Sequence, residues 1–144
     1  MRLLFVENNI LFMGMAMSQC LESFDVVCAL TVRDGRAHLE AEAFDVLLVG
    51  VELDDGTGEE LIREFRQRFR GAIVAMSHSD AENDRLVDAG ADGSCSKSNV
   101  SSLPAAISAA LWKRAGALWR NAELEPHGRH PPASVQEPEK PASV

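Results

Sequence analysis

Three stretches of this chain, "RLLFV" (Arg2 to Val6), "DVLLVG" (Asp45 to Gly50) and "AIVAM" (Ala72 to Met76), are apolar almost without interruption. A strand with one wet face alternates apolar and polar residues. A strand covered on both faces does not. Each stretch therefore predicts a strand buried between two layers, and buried strands of this kind form parallel sheets with helices on both sides.

The segments between them carry the helices. From Ile10 to Leu21, the residues Leu11, Met15, Ala16 and Leu21 recur at roughly helical spacing, and Met13 and Met17, with Phe12 nearby, read as core. "DVVCAL" (Asp25 to Leu30) is β-branched and apolar and predicts a second strand. Val32 to Ala43 suits an exposed helix. Glu59 to Phe69 sets Leu61, Ile62, Phe65 and Phe69 on one helical face, with Gly71 as its stop. Ser79 or Asp80 caps a helix running to about Ala89. "DGSCS" (Asp92 to Ser96) is a short fifth strand, and Ser101 or Ser102 caps a last helix with Pro104 in its first turn. Five strands alternate with five helices. The fold class is α/β, a (βα)5 flavodoxin-like three-layer sandwich around a five-stranded parallel sheet. Right-handed crossovers gather the loops after the first, third, fourth and fifth strands on one rim, where such sheets place their chemistry.

Charge and cysteines narrow the function classes. The 144 residues carry a formal net charge of -8, which argues against direct nucleic-acid binding, since phosphate contacts need a basic face. No apolar run approaches membrane-span length, and the N-terminus does not read as a signal peptide, so a cytoplasmic protein without a membrane partner is expected. Cys20, Cys28 and Cys95 match no metal-ligand spacing and read as small apolar residues. No metal and no cofactor are expected.

The rim residues are Glu7 and Asn8 after the first strand, Gly50 to Asp55 after the third, Ser77 after the fourth and Lys97 after the fifth. In order and spacing, "VENNILFMG", "DVLLVGVELDDGTGEEL", "IVAMS" and "AGADGSCSKS" resemble the receiver domain of bacterial response regulators over roughly Met1 to Ala110. The resemblance implies a known chemistry. Two acidic residues and an acceptor aspartate hold magnesium, the aspartate takes a phosphoryl group, and a hydroxyl residue and a lysine grip its oxygens. Against that pattern Ser77 and Lys97 match. Gly50 stands at the acceptor position and has no nucleophile. Asn8 removes a charge from the acidic pair. Ser94 stands at the aromatic switch position, and Ser98 follows Lys97 where proline is typical.

Glu52, Asp54 and Asp55 lie close by, and a receiver phosphorylated on a displaced acid (Asp54 or Glu52) is one alternative. A shift of one or two residues moves a carboxylate by several ångströms, however, and spoils in-line attack. The plainer reading makes Asp54 and Asp55 a solvated acidic turn before Gly56, and Lys97 a neutralising partner for Glu7 or Glu52. A small-ligand-binding flavodoxin-like protein is a second alternative. Against it, no glycine-rich phosphate loop links the first strand to the first helix.

The expected function is that of an atypical, single-domain response regulator. It would be a pseudo-receiver, not an enzyme, acting by protein contact in signal transduction or transcriptional control. Its last helix extends to about Leu124, beyond what a receiver needs. Trp112 and Trp119, seven residues apart, share a face there, beside Lys113 and Arg114. This fourth-helix to fifth-helix face is the expected contact for another signalling protein (a histidine kinase, regulator or effector) or for a second copy. The domain is assigned to residues 1–122 and a Pro-rich disordered tail to 123–144.

Overall fold

A computed structural model describes residues 1–123; the expected tail lies almost wholly outside them. Five strands form one parallel sheet: β1 (Arg2–Val6), β2 (Asp25–Ala29), β3 (Val46–Gly50), β4 (Ala72–Ser77) and β5 (Gly93–Ser96), in the order β2-β1-β3-β4-β5. The helices are α1 (Ile10–Cys20), α2 (Val32–Ala41), α3 (Gly58–Phe65), α4 (Asp80–Ala89) and α5 (Leu103–Glu123), the last entered through a 3-10 turn, Lys97–Ser102. A two-residue antiparallel ribbon, Glu52–Leu53 against Gly56–Thr57, closes the loop after β3. This is the (βα)5 flavodoxin-like sandwich expected.

The apolar strands sort their side chains by the period of two that a pleat imposes. Leu4, Val6, Leu47, Val49, Ile73 and Ala75 face one layer, where Leu61, Ile62 and Phe65 of α3 and Leu86 of α4 meet them. Leu3, Phe5, Val46, Leu48, Val74 and Met76 face the other, against Phe12, Met13 and Ala16 of α1 and Leu103, Ile107 and Ala110 of α5. The alternation is hidden in the sequence because both faces are apolar.

Side chains of Asn9, Thr31, Thr57 and Ser79 cap α1 to α4, each accepting a backbone N–H three residues on. Two details differ from expectation. First, α3 ends at Phe65, well before Gly71. Gly71 serves instead where the chain passes close to the Asp45 carbonyl, leaving no room for a Cβ. The end of α3 is held by Arg66, whose guanidinium donates to the carbonyls of Phe69, Gly71 and Gly90 and pairs with Asp92 at 2.9 Å. Asp92 in turn accepts the Ile73 N–H at the start of β4. Second, the inward face of α1 is Phe12, Met13 and Ala16, so of the residues read at helical spacing only Ala16 and Leu21 are buried. Leu11 and Met15 point outward, with Leu11 86% exposed.

Candidate functional site

The order of the strands reverses between β1 and β3, so their carboxyl ends form the crevice of the sheet. Register fixes what meets there. Val6 lies beside Val49, so Glu7, one residue beyond β1, stands next to Gly50. Gly50 pairs with Met76, bringing Ser77 alongside, and Ser77 pairs with Ser96, which carries Lys97 onto the same rim.

The Glu7 carboxylate fills the space that a side chain on Gly50 would need. A Cβ built on Gly50 would stand 2.6 Å from Glu7 Oε2 and 3.2 Å from its Cδ. Glutamate is one methylene longer than aspartate, and that length carries its carboxylate across to β3. The group is 1% exposed. Lys97 Nζ lies 2.7 Å from Oε2 as an ion pair, and Oε1 accepts the Asn9 N–H at 3.2 Å. A buried carboxylate needs such partners, because stripping its water without them costs several kcal/mol. The Lys97 ammonium also sits 4.9 Å from the centre of the Phe12 ring, a cation–π contact that covers its apolar side.

The remaining rim residues stand apart from this pair. Asn8 is exposed, and its amide donates to Asp54 at 3.4 Å. Asp54 sits at the turn of the two-residue ribbon and Glu52 on its first strand, both exposed. Asp55 accepts the N–H groups of Val32 at 2.7 Å and Arg33 at 3.0 Å. Those two bonds, Arg33's first, hold its carboxyl below its ordinary range. Asp55 is therefore an anchor for the start of α2, whereas the sequence read it as part of a solvated turn. Ser77 Oγ accepts the Ser79 N–H and tightens the entry to α4. Ser94 is exposed on β5.

Receiver-type chemistry would require a magnesium ion here, and the donor set does not fit one. Gly50 offers no side chain, Asn8 brings no charge, and Glu7 Oε2 is already paired with Lys97. Among the described residues no cluster of three His, Cys, Asp or Glu side chains has metal-binding geometry.

On α5, Lys113 is exposed, and Trp112 and Trp119 are half-buried. Arg114, expected on an interaction surface, turns inward and donates to the carbonyls of Phe69 and Arg70. Burial, with Arg66 nearby, lowers its pKa. It fastens α5 to the amino edge of the sheet. No helix among the described residues is long and apolar enough to cross a membrane.

The sequence placed Glu7, Gly50 and Lys97 on one rim and offered Glu7 as one of two partners for Lys97. It missed Phe12 as the wall beneath Lys97. The signal was available in the i to i+5 step from Glu7 to Phe12, which a strand end followed by a capped helix brings together.

The fold is a flavodoxin-like sheet that gathers Glu7, Gly50, Ser77 and Lys97 on one rim. Comparison with solved structures agrees on the fold. The chain is similar to a CheY-like response regulator receiver domain protein from Methanospirillum hungatei JF-1, at 24% identity and a TM-score of 0.68, covering 78% of this chain and 94% of that one. It is similar to a two-component response regulator from Clostridium difficile, at 19% identity and a TM-score of 0.69, covering 76% and 94%. The signal receiver domain of an HD domain-containing protein from Pseudomonas fluorescens Pf-5 matches at 14% identity and a TM-score of 0.72, covering 83% and 92%. No family model matches the sequence.

Proposed function

We propose that this chain is a signal-transduction module of the receiver type that works by protein contact, without phosphoryl transfer at the β3 rim position and without enzymatic activity. One observation carries the reading. The acceptor position is Gly50, and the volume beside it is filled by the Glu7 carboxylate, which Lys97 pairs from within the chain. The lysine that would grip a phosphoryl oxygen thus already has its anion. With no nucleophile at Gly50 and no fitting metal donor set, the rim serves structure.

The surface left for a signalling partner is the side formed by α4, β5 and α5, on which Ser94 and Lys113 are exposed and Trp112 and Trp119 half-buried. Phosphorylation on Asp54 or Glu52 finds less support. Both are exposed on the ribbon, and Lys97 is committed to Glu7. Binding of a small molecule at the strand ends finds little room, because the crevice between β1 and β3 holds the Glu7 side chain.

Intact mass after incubation with magnesium and a small-molecule phosphodonor tests the reading. An unchanged mass is expected. One acid-labile phosphate would overturn it, and mapping to Asp54 or Glu52 would establish the displaced-acid alternative.

A further inference from the structure

Helix α1 presents to solvent a face that the fold itself does not explain. Leu11 is 86% exposed, Ile10 64% and Met15 38%, and Gly14 and Ser18 are exposed between and beyond them. Exposed single apolar residues are ordinary, but here three fall on one side of one helix. Gly14 is the second anomaly. Glycine weakens the middle of a helix, and a Cβ at this site would meet nothing within 4 Å. Nothing inside the domain calls for it.

We infer that this face is a contact between two copies of the chain, with their α1 helices packed antiparallel about a twofold axis near Gly14 and Met15. Three features select a second copy as the occupant. The first is charge. Each copy carries a net charge of -8, so two copies repel over most of their surfaces. Among the α-helices of the described residues, α1 alone has no charged side chain, reading "ILFMGMAMSQC". It is the helix along which two such molecules approach at least cost.

The second is the helix dipole. The last turn of α1 holds no basic residue, so its negative pole is not answered by side chains of that turn, whereas Glu7 and the Asn9 cap sit at its positive one. An antiparallel copy sets each positive end beside a negative one. The third is shape. The exposed row runs large, small, large, small as Leu11, Gly14, Met15 and Ser18. Antiparallel pairing about its centre sets Leu11 of one copy against Ser18 of the other, and Met15 against Gly14. Such a row is complementary to itself, and an isologous interface requires that. Glycine at the crossing lets the backbones come close.

The contact does not depend on how the β3 rim works, so it is tested separately from phosphoryl transfer. Sedimentation of the full chain over a concentration series from micromolar to millimolar should show a reversible monomer–dimer equilibrium. Leu11→Lys should weaken it by roughly tenfold or more, the effect of spoiling one central contact. Gly14→Gln gives an independent signature. It should strengthen the helix and raise the melting temperature of the dilute monomer while weakening the dimer. Glu40→Gln, exposed on α2 in the opposite helix layer, should leave the equilibrium unchanged. A wild-type chain that stays monomeric throughout would overturn the inference. So would Leu11→Lys and Gly14→Gln chains that dimerise as the wild type does, or a dimer lost only on Glu40→Gln.

Discussion

Gly50→Ala should destabilise this protein, and the reason is the Glu7 carboxylate. Gly90 is the only glycine with positive φ among the described residues, so the backbone at Gly50 accepts alanine. On conformational grounds alone the change would stabilise by about 0.4–1 kcal/mol through the unfolded chain. Instead the new Cβ would lie 2.6 Å from Glu7 Oε2, and the oxygen must retreat by about 0.8 Å to reach the 3.4 Å of ordinary contact. An exposed side chain end would swing away freely. This one is 1% exposed, paired to Lys97 at 2.7 Å and bonded to the Asn9 N–H. Overpacking a filled site costs about 1–3 kcal/mol, and losing a buried pair outright costs about 3–5 kcal/mol. Because the carboxylate needs to shift but not to leave, a net loss of about 1–2 kcal/mol is expected.

A double-mutant cycle isolates the cause. In a Glu7→Ala background the obstacle is gone, and Gly50→Ala should become neutral or slightly stabilising. In a Glu7→Gln background the volume remains, so Gly50→Ala should still destabilise. Urea unfolding followed by circular dichroism gives all the free energies. The expected coupling between Glu7→Ala and Gly50→Ala is about 1.5–3 kcal/mol, within the range for residues in contact. Additivity to within about 0.4 kcal/mol would refute the claim that the two residues share one volume.

Three further outcomes follow from neighbouring contacts. Gly58→Ala should cost at least about 2 kcal/mol, because its Cβ would run into the backbone carbonyl of Gly50, which cannot swing aside; a wild-type urea midpoint would contradict this. Arg66→Ala should cost about 3 kcal/mol, since it leaves Asp92 partly buried without its cation and frees the carbonyls of Phe69, Gly71 and Gly90. A loss no larger than that of an exposed pair such as Arg63 with Glu59 would contradict it. Asp55→Asn tests the anchor on α2. The folded pKa of Asp55 is depressed below 3.8 by the N–H groups of Arg33 and Val32. Its contribution is therefore present above that ordinary value and fades as pH falls through the folded one. Wild type should exceed the variant in stability at neutral pH, and the gap should close below about pH 4; a gap independent of pH would count against the anchor.

The sheet was legible because burial on both faces leaves an unmistakable trace. Continuous apolar runs such as Val46 to Val49 admit few other structures. At the start of α4 the sequence offered Ser79 or Asp80 as the cap, and Ser79 is the one that caps it. What escaped was whatever depends on which side of a helix faces in. The first helix offers apolar residues at Ile10, Leu11, Phe12, Met13, Met15, Ala16 and Met17, so spacing alone does not choose its inner face. The choice falls to Phe12, Met13 and Ala16 because Asn9 fixes where the helix starts. Asp55 escaped for a different reason. Its partners are backbone N–H groups 22 and 23 residues away, and no local pattern announces such a bond. The end of α3 was likewise decided at a distance, by Arg66 reaching carbonyls across the amino edge of the sheet.

The Glu7–Lys97 pair also bears on how a module of this kind can be switched. A ligand shifts a conformational equilibrium only by binding one state better than the other. In a domain whose lysine awaits an external anion, arrival of that anion supplies the difference. Here the anion belongs to the chain, and it is present whenever the chain is folded. On the proposed reading the rim has no ligand-free state, and Lys97 keeps its internal anion throughout. On that reading a signal enters through the surfaces of the domain, as the concentration or identity of what docks on them. Removing the internal anion makes this testable. If Glu7→Gln leaves Lys97 free at the rim, inorganic phosphate should stabilise the variant against urea and leave the wild type unchanged; equal stabilisation of both would show that the pair does not close the site.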